Sequence, residues 1–362
     1  MSRARWFLVA LSFAAALAVS AWVVVSSWPQ GGGSMALPLH AHLFALGLTA
    51  LDIAARATKL RWGARAIGFE LPIRPALRAT LGGDFGGAIT PSRSGTEPTR
   101  FLILTEAKIG AGNAMVLLFT ELAFEVLSLV VFVIALTIAL PHLGGALAGF
   151  AGVVGGFLAL LIGGLTIASI LSHPDRRRGP PPRWAGYLGL HAIRWRRLQQ
   201  TLRQLRERLG ALKRAKRGWA LAAFAASLIH VAARISVLAA LVLTVAPSVP
   251  LAPLVLWPLT LYYGAGIAPA PGGGGVVEVA YRGALGGIIP AAYLGASLVW
   301  WRFYTFYLPM IIGAVIAGRA VRRAIRSNAE NDEEIDTPTP TDEIQAQTGG
   351  AQAPQARTAK VL

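Results

Sequence analysis

Two stretches combine phosphate-binding chemistry with helix-breaking residues. TPSRSGTEPTR, residues 90–100, holds Pro91, Arg93, Gly95, Glu97 and Arg100. APAPGGGGVVEVAYR, residues 268–282, holds Pro271, Gly272, Gly273, Gly275, Glu278 and Arg282. Proline breaks a helix and removes a donor, and glycine lets the backbone turn freely. A helix that restarts after such a break aims unpaired N–H groups at whatever lies before it, which suits an anion, more so beside arginine. Ser92, Ser94, Thr96 and the backbone of Gly272–Gly275 add hydrogen-bond donors. Glu97 with Arg93 or Arg100, and Glu278 with Arg282, can equally form structural ion pairs that hold each break together.

Further charges sit inside apolar runs. Glu121 and Glu125, in FTELAFEVLSLVVF, lie one helical turn apart. Arg302 interrupts SLVWWRFYTFYLPM. A charge at membrane depth costs about 2.5–3.5 kcal/mol on insertion scales. These side chains must therefore face protein, carry a proton or find a partner, which leaves proton coupling open for Glu121 and Glu125. Arg302 has Glu121, Glu125, Glu278 or a lipid phosphate as partners. GGDFGG, residues 82–87, reads as a hinge that leaves Asp84 facing solvent. No catalytic residues emerge: the six histidines form no HExxH and no close pair on one helix face, and no GxSxG, kinase set or dinucleotide fingerprint is present. PGGGG is not followed by the Lys-Ser/Thr of a nucleotide-binding loop, and no metal or cofactor is implied. His142, His173 and His191 fall at the edges of apolar runs, an ordinary interfacial placement.

The elements that must carry these residues are membrane helices. Of 362 residues, 54% are hydrophobic and only 14% charged, with mean hydropathy +0.55 and no cysteine. Apolar runs reach the roughly 18–20 residues needed to cross a bilayer. Spans are expected at about residues 7–28, 36–58, 110–140, 145–171, 217–246 and 292–317. A cleaved signal peptide competes with the first of these. Asp52 and Arg56 share a face near the end of the second span, and Lys59, Arg61 and Arg65 follow it.

The net charge of +17 would suggest nucleic acid in a soluble chain, but here the bases flank apolar spans. Anionic lipid and the positive-inside rule explain them, so no nucleic-acid partner is expected. In residues 172–217, Trp195, Leu198, Leu202, Leu205, Leu209 and Leu212 form one apolar helical stripe among arginines. A coiled coil reads the same way, but beside a membrane domain the pattern fits a basic cytoplasmic interfacial segment. Residues 327–362 carry seven of the seventeen acids and are expected to be a disordered cytoplasmic tail after a membrane domain over 1–326.

Basic clusters then place both termini in the cytoplasm. Under that constraint residues 74–105 leave and return on the cytoplasmic side, and 252–290 on the outer side. The expected architecture is an all-α polytopic membrane protein with about six spans and two re-entrant hairpins from opposite faces. The proline-to-glycine spacing is four in both breaks, while glycine to glutamate is two and then three. An inverted repeat would leave this kind of pattern.

TPSRSGTEPTR, APAPGGGGVVE and WWRFYTFYLP, in that order, resemble the flippase-like family related to the membrane region of lysylphosphatidylglycerol synthase, over about residues 5–320. The resemblance implies a polytopic inner-membrane protein whose synthase relatives move aminoacylated lipid between leaflets. It implies marked roles for Pro91, Arg93, Gly95, Glu97, Arg100, Pro271, Gly272, Gly273, Glu278 and Arg302. The synthase's soluble aminoacyl-transferase domain has no counterpart here, so aminoacylation is not carried over and no enzyme is expected. The expected substrate is an anionic phospholipid or lipid-linked molecule. Arg93, Glu97, Arg100, Gly272, Gly273, Glu278 and Arg302 would bind it, with Pro91, Gly95, Pro271 and Gly275 shaping the hairpins. The alternative is a non-transporting scaffold that presents lipid to a lipid-modifying enzyme.

Overall fold

A computed structural model describes residues 36–139, 144–171, 216–266, 268 and 270–316, with residues 18, 22, 25 and 195 besides. Most of the first span, nearly all of the basic segment 172–217 and the whole acidic tail therefore lie outside the described residues, as do His142, His173 and His191. Among the described residues the chain is helical, without strands. The helices are α1 (Leu39–Ala66), α2 (Ile73–Ala88), α3 (Thr96–Glu106), α4 (Ala111–Ala139) and α5 (Gly144–Leu171). They continue as α6 (Arg217–Leu243), α7 (Leu251–Gly264), α8 (Val276–Leu285) and α9 (Ala291–Arg302). A π-helical turn, Phe303–Tyr307, carries α9 onward to Ile316. Pro309 follows that turn and lacks an N–H, and such a gap in the hydrogen-bond ladder favours local rewinding.

Among the described residues three helices are long and apolar enough to cross a membrane: α4, α6 and the α9 helix through Ile316. α1 is longer than the predicted second span and runs past Lys59, Arg61 and Arg65 to Ala66. Nothing in LRWGARA stops a helix until Gly68, whose φ of +95° ends it. Lys59 is thus no flanking base but a buried residue of the helix.

The polarity is that of a membrane protein. Leu127, Ile134 and Ile138 on α4, Ile162 on α5, and Ile311 and Val315 beyond α9 point outward. Asp52, Arg56, Lys59, Arg100, Glu121, His230, Arg234, Glu278 and Arg302 are buried. Lipid tolerates the first pattern, and charges survive the second only when paired. The buried positions of α1 include Ala41, Ala45, Thr49, Asp52, Arg56, Lys59 and Gly63, which fall at helical spacing on one face. α6 packs against this helix, and its buried set includes Ser227, His230, Arg234, Val237 and Leu241. Small residues near the start of the α1 stripe let the backbones approach, and the charges occupy its middle.

Four shorter helices form two broken segments, α2–α3 and α7–α8. α3 has eleven residues and α8 ten. At about 1.5 Å per residue neither reaches much beyond half of a ~30 Å hydrocarbon core. GGDFGG proves to be a packing face and not a hinge. A Cβ on Gly83 would stand 2.7 Å from the Arg100 side chain, and one on Gly86 would stand 2.7 Å from the Gly95 carbonyl. Only glycine lets the two arms of this segment close so tightly.

Candidate functional site

The two breaks share a backbone design. Pro91 and Pro271 each begin a four-residue turn that leads into a helix, α3 or α8. The two residues after each proline are left-handed: Ser92 (φ 52°) and Arg93 (φ 54°) in the first, Gly272 (φ 59°) and Gly273 (φ 73°) in the second. Non-glycine residues rarely adopt that conformation, so the first break holds two strained residues where the second uses glycine. The tips touch. Pro91 and Pro271 form an isolated antiparallel bridge, and Ser92 Oγ donates to the Ala268 carbonyl at 3.0 Å.

The offset in glutamate spacing has a physical meaning here. Glu278 is the third residue of α8, and its Oε2 accepts the Gly275 N–H at 2.7 Å, capping its own helix. Its Oε1 accepts from Arg302 Nε at 2.8 Å, and Arg302 lies over the Phe306 ring at 4.4 Å. In the first break the Gly95 N–H is held instead by Thr90 Oγ1 at 2.8 Å. Glu97, the second residue of α3, is thereby left to face Arg100 at 3.1 Å.

A cavity of about 610 Å³ opens beside the first tip. Arg56 of α1, Thr80 and Asp84 of α2, and Ser92 and Arg93 of the tip line it. So do Glu97 and Arg100 of α3, Glu121 and Glu125 of α4, Gly156 of α5, Arg234 of α6, and Tyr262 and Tyr263 of α7. Arg93, Glu97, Arg100, Glu121 and Glu125 thus converge on one space. Gly272, Gly273, Glu278 and Arg302 do not line it. They form a second, buried group in which Glu278 and Arg302 hold the other tip, and a Cβ on Gly272 would run into the Phe306 ring.

The charges form one continuous chain. Glu97 pairs with Arg100, Arg100 with Glu121, Glu121 with Lys59, and Lys59 with Glu125. His230 Nε2 lies 2.8 Å from Glu125 Oε2, and its Nδ1 lies 3.2 Å from Asp52. Asp52 binds Arg234 at 2.5 Å and Arg56 at 3.2 Å. Arg56 grips Asp84 with both terminal nitrogens, at 2.9 and 2.8 Å, and Asp84 in turn lies 3.9 Å from Arg93. Tyr263 donates to Glu125 at 2.6 Å, while Arg93 and Arg234 lie over the Tyr262 ring at 4.6 and 4.2 Å. Asp84 is therefore a half-buried ion-pair partner and not the solvent-facing charge that its glycine-rich surroundings suggested.

Formal charges within this chain balance, with Asp52, Asp84, Glu97, Glu121 and Glu125 against Arg56, Lys59, Arg93, Arg100 and Arg234. The donors are not all used. Arg56 Nε, Arg100 Nε, Arg234 Nε and Thr80 Oγ1 are buried without partners, although each of these residues lines the cavity. Buried donors without acceptors are costly, and four arginines around one cavity, Arg56, Arg93, Arg100 and Arg234, suit a group rich in acceptor oxygens. No group of three or more His, Asp or Glu suited to a metal occurs among the described residues.

Lys59, His230 and Arg234 were not singled out from sequence as members of a site. The signal was present: LIHVAARISVL puts a histidine and an arginine four apart inside an otherwise apolar helix, so both face the same way. The family model described as the lysylphosphatidylglycerol synthase TM region matches residues 5–313. Comparison with curated proteins gave no match.

Proposed function

The chain belongs to the lysylphosphatidylglycerol synthase TM region family, a membrane family linked to lipid metabolism, and from that premise we propose that it moves a phosphate-bearing lipid or lipid-linked substrate between membrane leaflets. The observation that carries this reading is the cavity beside the first tip. Three of its arginines, Arg56, Arg100 and Arg234, keep an unpartnered Nε, and Thr80 keeps an unpartnered hydroxyl. A headgroup phosphate in the cavity would meet the side chains of Arg56, Arg93, Arg100 and Arg234 that line it. Arg93 would take the outer side of the phosphate, since its own acid, Asp84, is 3.9 Å away and already bound to Arg56.

In this reading the two broken segments are re-entrant hairpins from opposite faces, related as an inverted repeat, in a bundle of about six spans with both termini in the cytoplasm. Their meeting at Pro91 and Pro271 puts a polar break at membrane depth, where irregular backbone is tolerable only beside protein or a wet cavity. Gly272, Gly273, Glu278 and Arg302 then shape and brace the outer tip, and Glu97 positions Arg100. The protein carries out transport and not covalent chemistry, in the cell membrane.

The deciding experiment reconstitutes the full chain in liposomes with a fluorescent phospholipid in one leaflet. Exchange faster than in protein-free vesicles, slowed by Arg93→Gln and Arg100→Gln, supports translocation. Tight lipid retention without exchange would instead favour a scaffold that presents lipid to an enzyme partner.

A further inference from the structure

His230 is fully buried on α6, and both of its nitrogens face carboxylates. Nδ1 lies 3.2 Å from Asp52 Oδ1, and Nε2 lies 2.8 Å from Glu125 Oε2 and 3.3 Å from Lys59 Nζ. A neutral imidazole has one N–H and one lone pair. With the proton on Nδ1, it donates to Asp52 and its Nε2 accepts from Lys59, leaving two lone pairs opposed across the Glu125 contact. An added proton on Nε2 turns that contact into a charge-assisted hydrogen bond and leaves Lys59 to Glu121 and Glu125. The short Nε2–Glu125 contact is therefore the geometry of the imidazolium, and loss of the Nε2 proton would leave that contact repulsive.

The surroundings make that proton count. From α1, Asp52, Arg56 and Lys59 face this region; from α4, Glu121 and Glu125; from α6, Arg234; and from α7, Tyr262 and Tyr263. Asp84 of α2 joins through Arg56. The five acids and five bases of the chain cancel, so the imidazole decides the sign of what remains. Glu125 touches both Nε2 and the cavity, which provides a path for the proton from solvent in the cavity to the ring.

We propose that His230 is the proton-binding group that couples headgroup loading to proton concentration: protonated, it gives the cavity a net positive charge and holds a phosphodiester headgroup; deprotonated, it returns the cavity to balance and lets the headgroup go. This rests on the headgroup reading above and adds to it an ion that the cycle consumes. A lipid loaded on the acidic side of a membrane would carry one proton with it to the other side.

The test is calorimetric titration of the full chain with short-chain phosphatidylglycerol, in two buffers of different ionisation enthalpy. Proton uptake on binding, with affinity rising about tenfold from about pH 8 to about pH 5, is the expected result. Uptake should vanish and affinity become flat with pH in His230→Gln. Glu125→Gln, which keeps a hydrogen-bonding side chain at the cavity wall, should reduce the uptake if His230→Gln fails to fold. Binding without proton uptake overturns the coupling and leaves the headgroup site standing, as does uptake unchanged in both variants. Absence of binding at every pH overturns the headgroup reading, and the coupling falls with it.

Discussion

Pro91 pairs with Pro271 through an isolated antiparallel bridge, so the two helix breaks meet each other. Each proline starts the same left-handed turn, and each turn releases a helix whose first N–H groups need an acceptor. Chains that break a helix in an apolar environment must house the freed backbone groups. Here each tip houses part of the other, with the Ser92 hydroxyl spent on the Ala268 carbonyl.

This contact can be trapped. Bridged residues of an antiparallel pair have Cα atoms about 4.5–5.5 Å apart, within the roughly 4.4–6.8 Å range of a disulfide. The chain has no cysteine of its own. Pro91→Cys combined with Pro271→Cys should oxidise to a crosslink, seen as loss of both thiols to maleimide labelling, while each single variant stays reactive. Two freely labelled thiols under oxidising conditions would show that the tips do not meet.

Arg100 bridges Glu97 and Glu121, and both its guanidinium and Glu121 are buried. Arg100→Ala should lower stability by about 1–3 kcal/mol, because Glu121 loses one of its two buried cationic partners and keeps Lys59. Adding Glu121→Gln should recover a large share of that loss. A double-mutant cycle of thermal unfolding in detergent measures the coupling, and strictly additive losses would contradict a direct pair.

Arg302 and Arg93 should separate structural from binding roles. Arg302 is tied to Glu278 at 2.8 Å and buried, so Arg302→Ala should unfold the second tip and lower the melting temperature. Arg93 has a partner only at 3.9 Å and a ring beneath it, so Arg93→Ala should change the melting point little. Its effect should appear instead as less phospholipid retained through purification, measured by mass spectrometry. Equal effects on both readouts would argue against this division.

Gly86 tests the closure of the first broken segment. Gly86→Ala would push a methyl against the Gly95 carbonyl and Thr99, and overpacking of this kind typically costs about 1–3 kcal/mol. Gly149→Ala on α5 meets nothing within 4 Å and should be neutral or mildly stabilising. Comparison of the two melting temperatures checks the prediction, and equal values would mean that the arms of α2 and α3 are not pressed together.

Much of this arrangement is written in local chemistry. Apolar runs bounded by bases select membrane helices whatever their neighbours are, so α4, α6 and α9 could be read directly. Pro91, Gly95, Pro271 and Gly275 stop helices through their own covalent geometry, and those breaks appear where the residues stand. Glu121 and Glu125 needed no fold to be recognised as charges that require partners.

Which partners they take is a matter of distance in space. Lys59 looked like the first of three bases after a span, but an uninterrupted helix carries it inward onto the face shared by Asp52 and Arg56. Asp84 looked free because glycines surround it, yet those glycines bring α2 and α3 into contact, and Arg56 reaches its carboxylate. Glu278 and Glu97 looked alike until one position of register made the first a cap for its own helix and turned the second toward the cavity. Composition and periodicity determined that this chain is a membrane protein with two polar breaks and charges that must be paired. Only the packing of α1 against α6, and of tip against tip, decided the pairs, because ion pairs and hydrogen bonds act over a few ångströms and the residues that make them lie far apart along the chain.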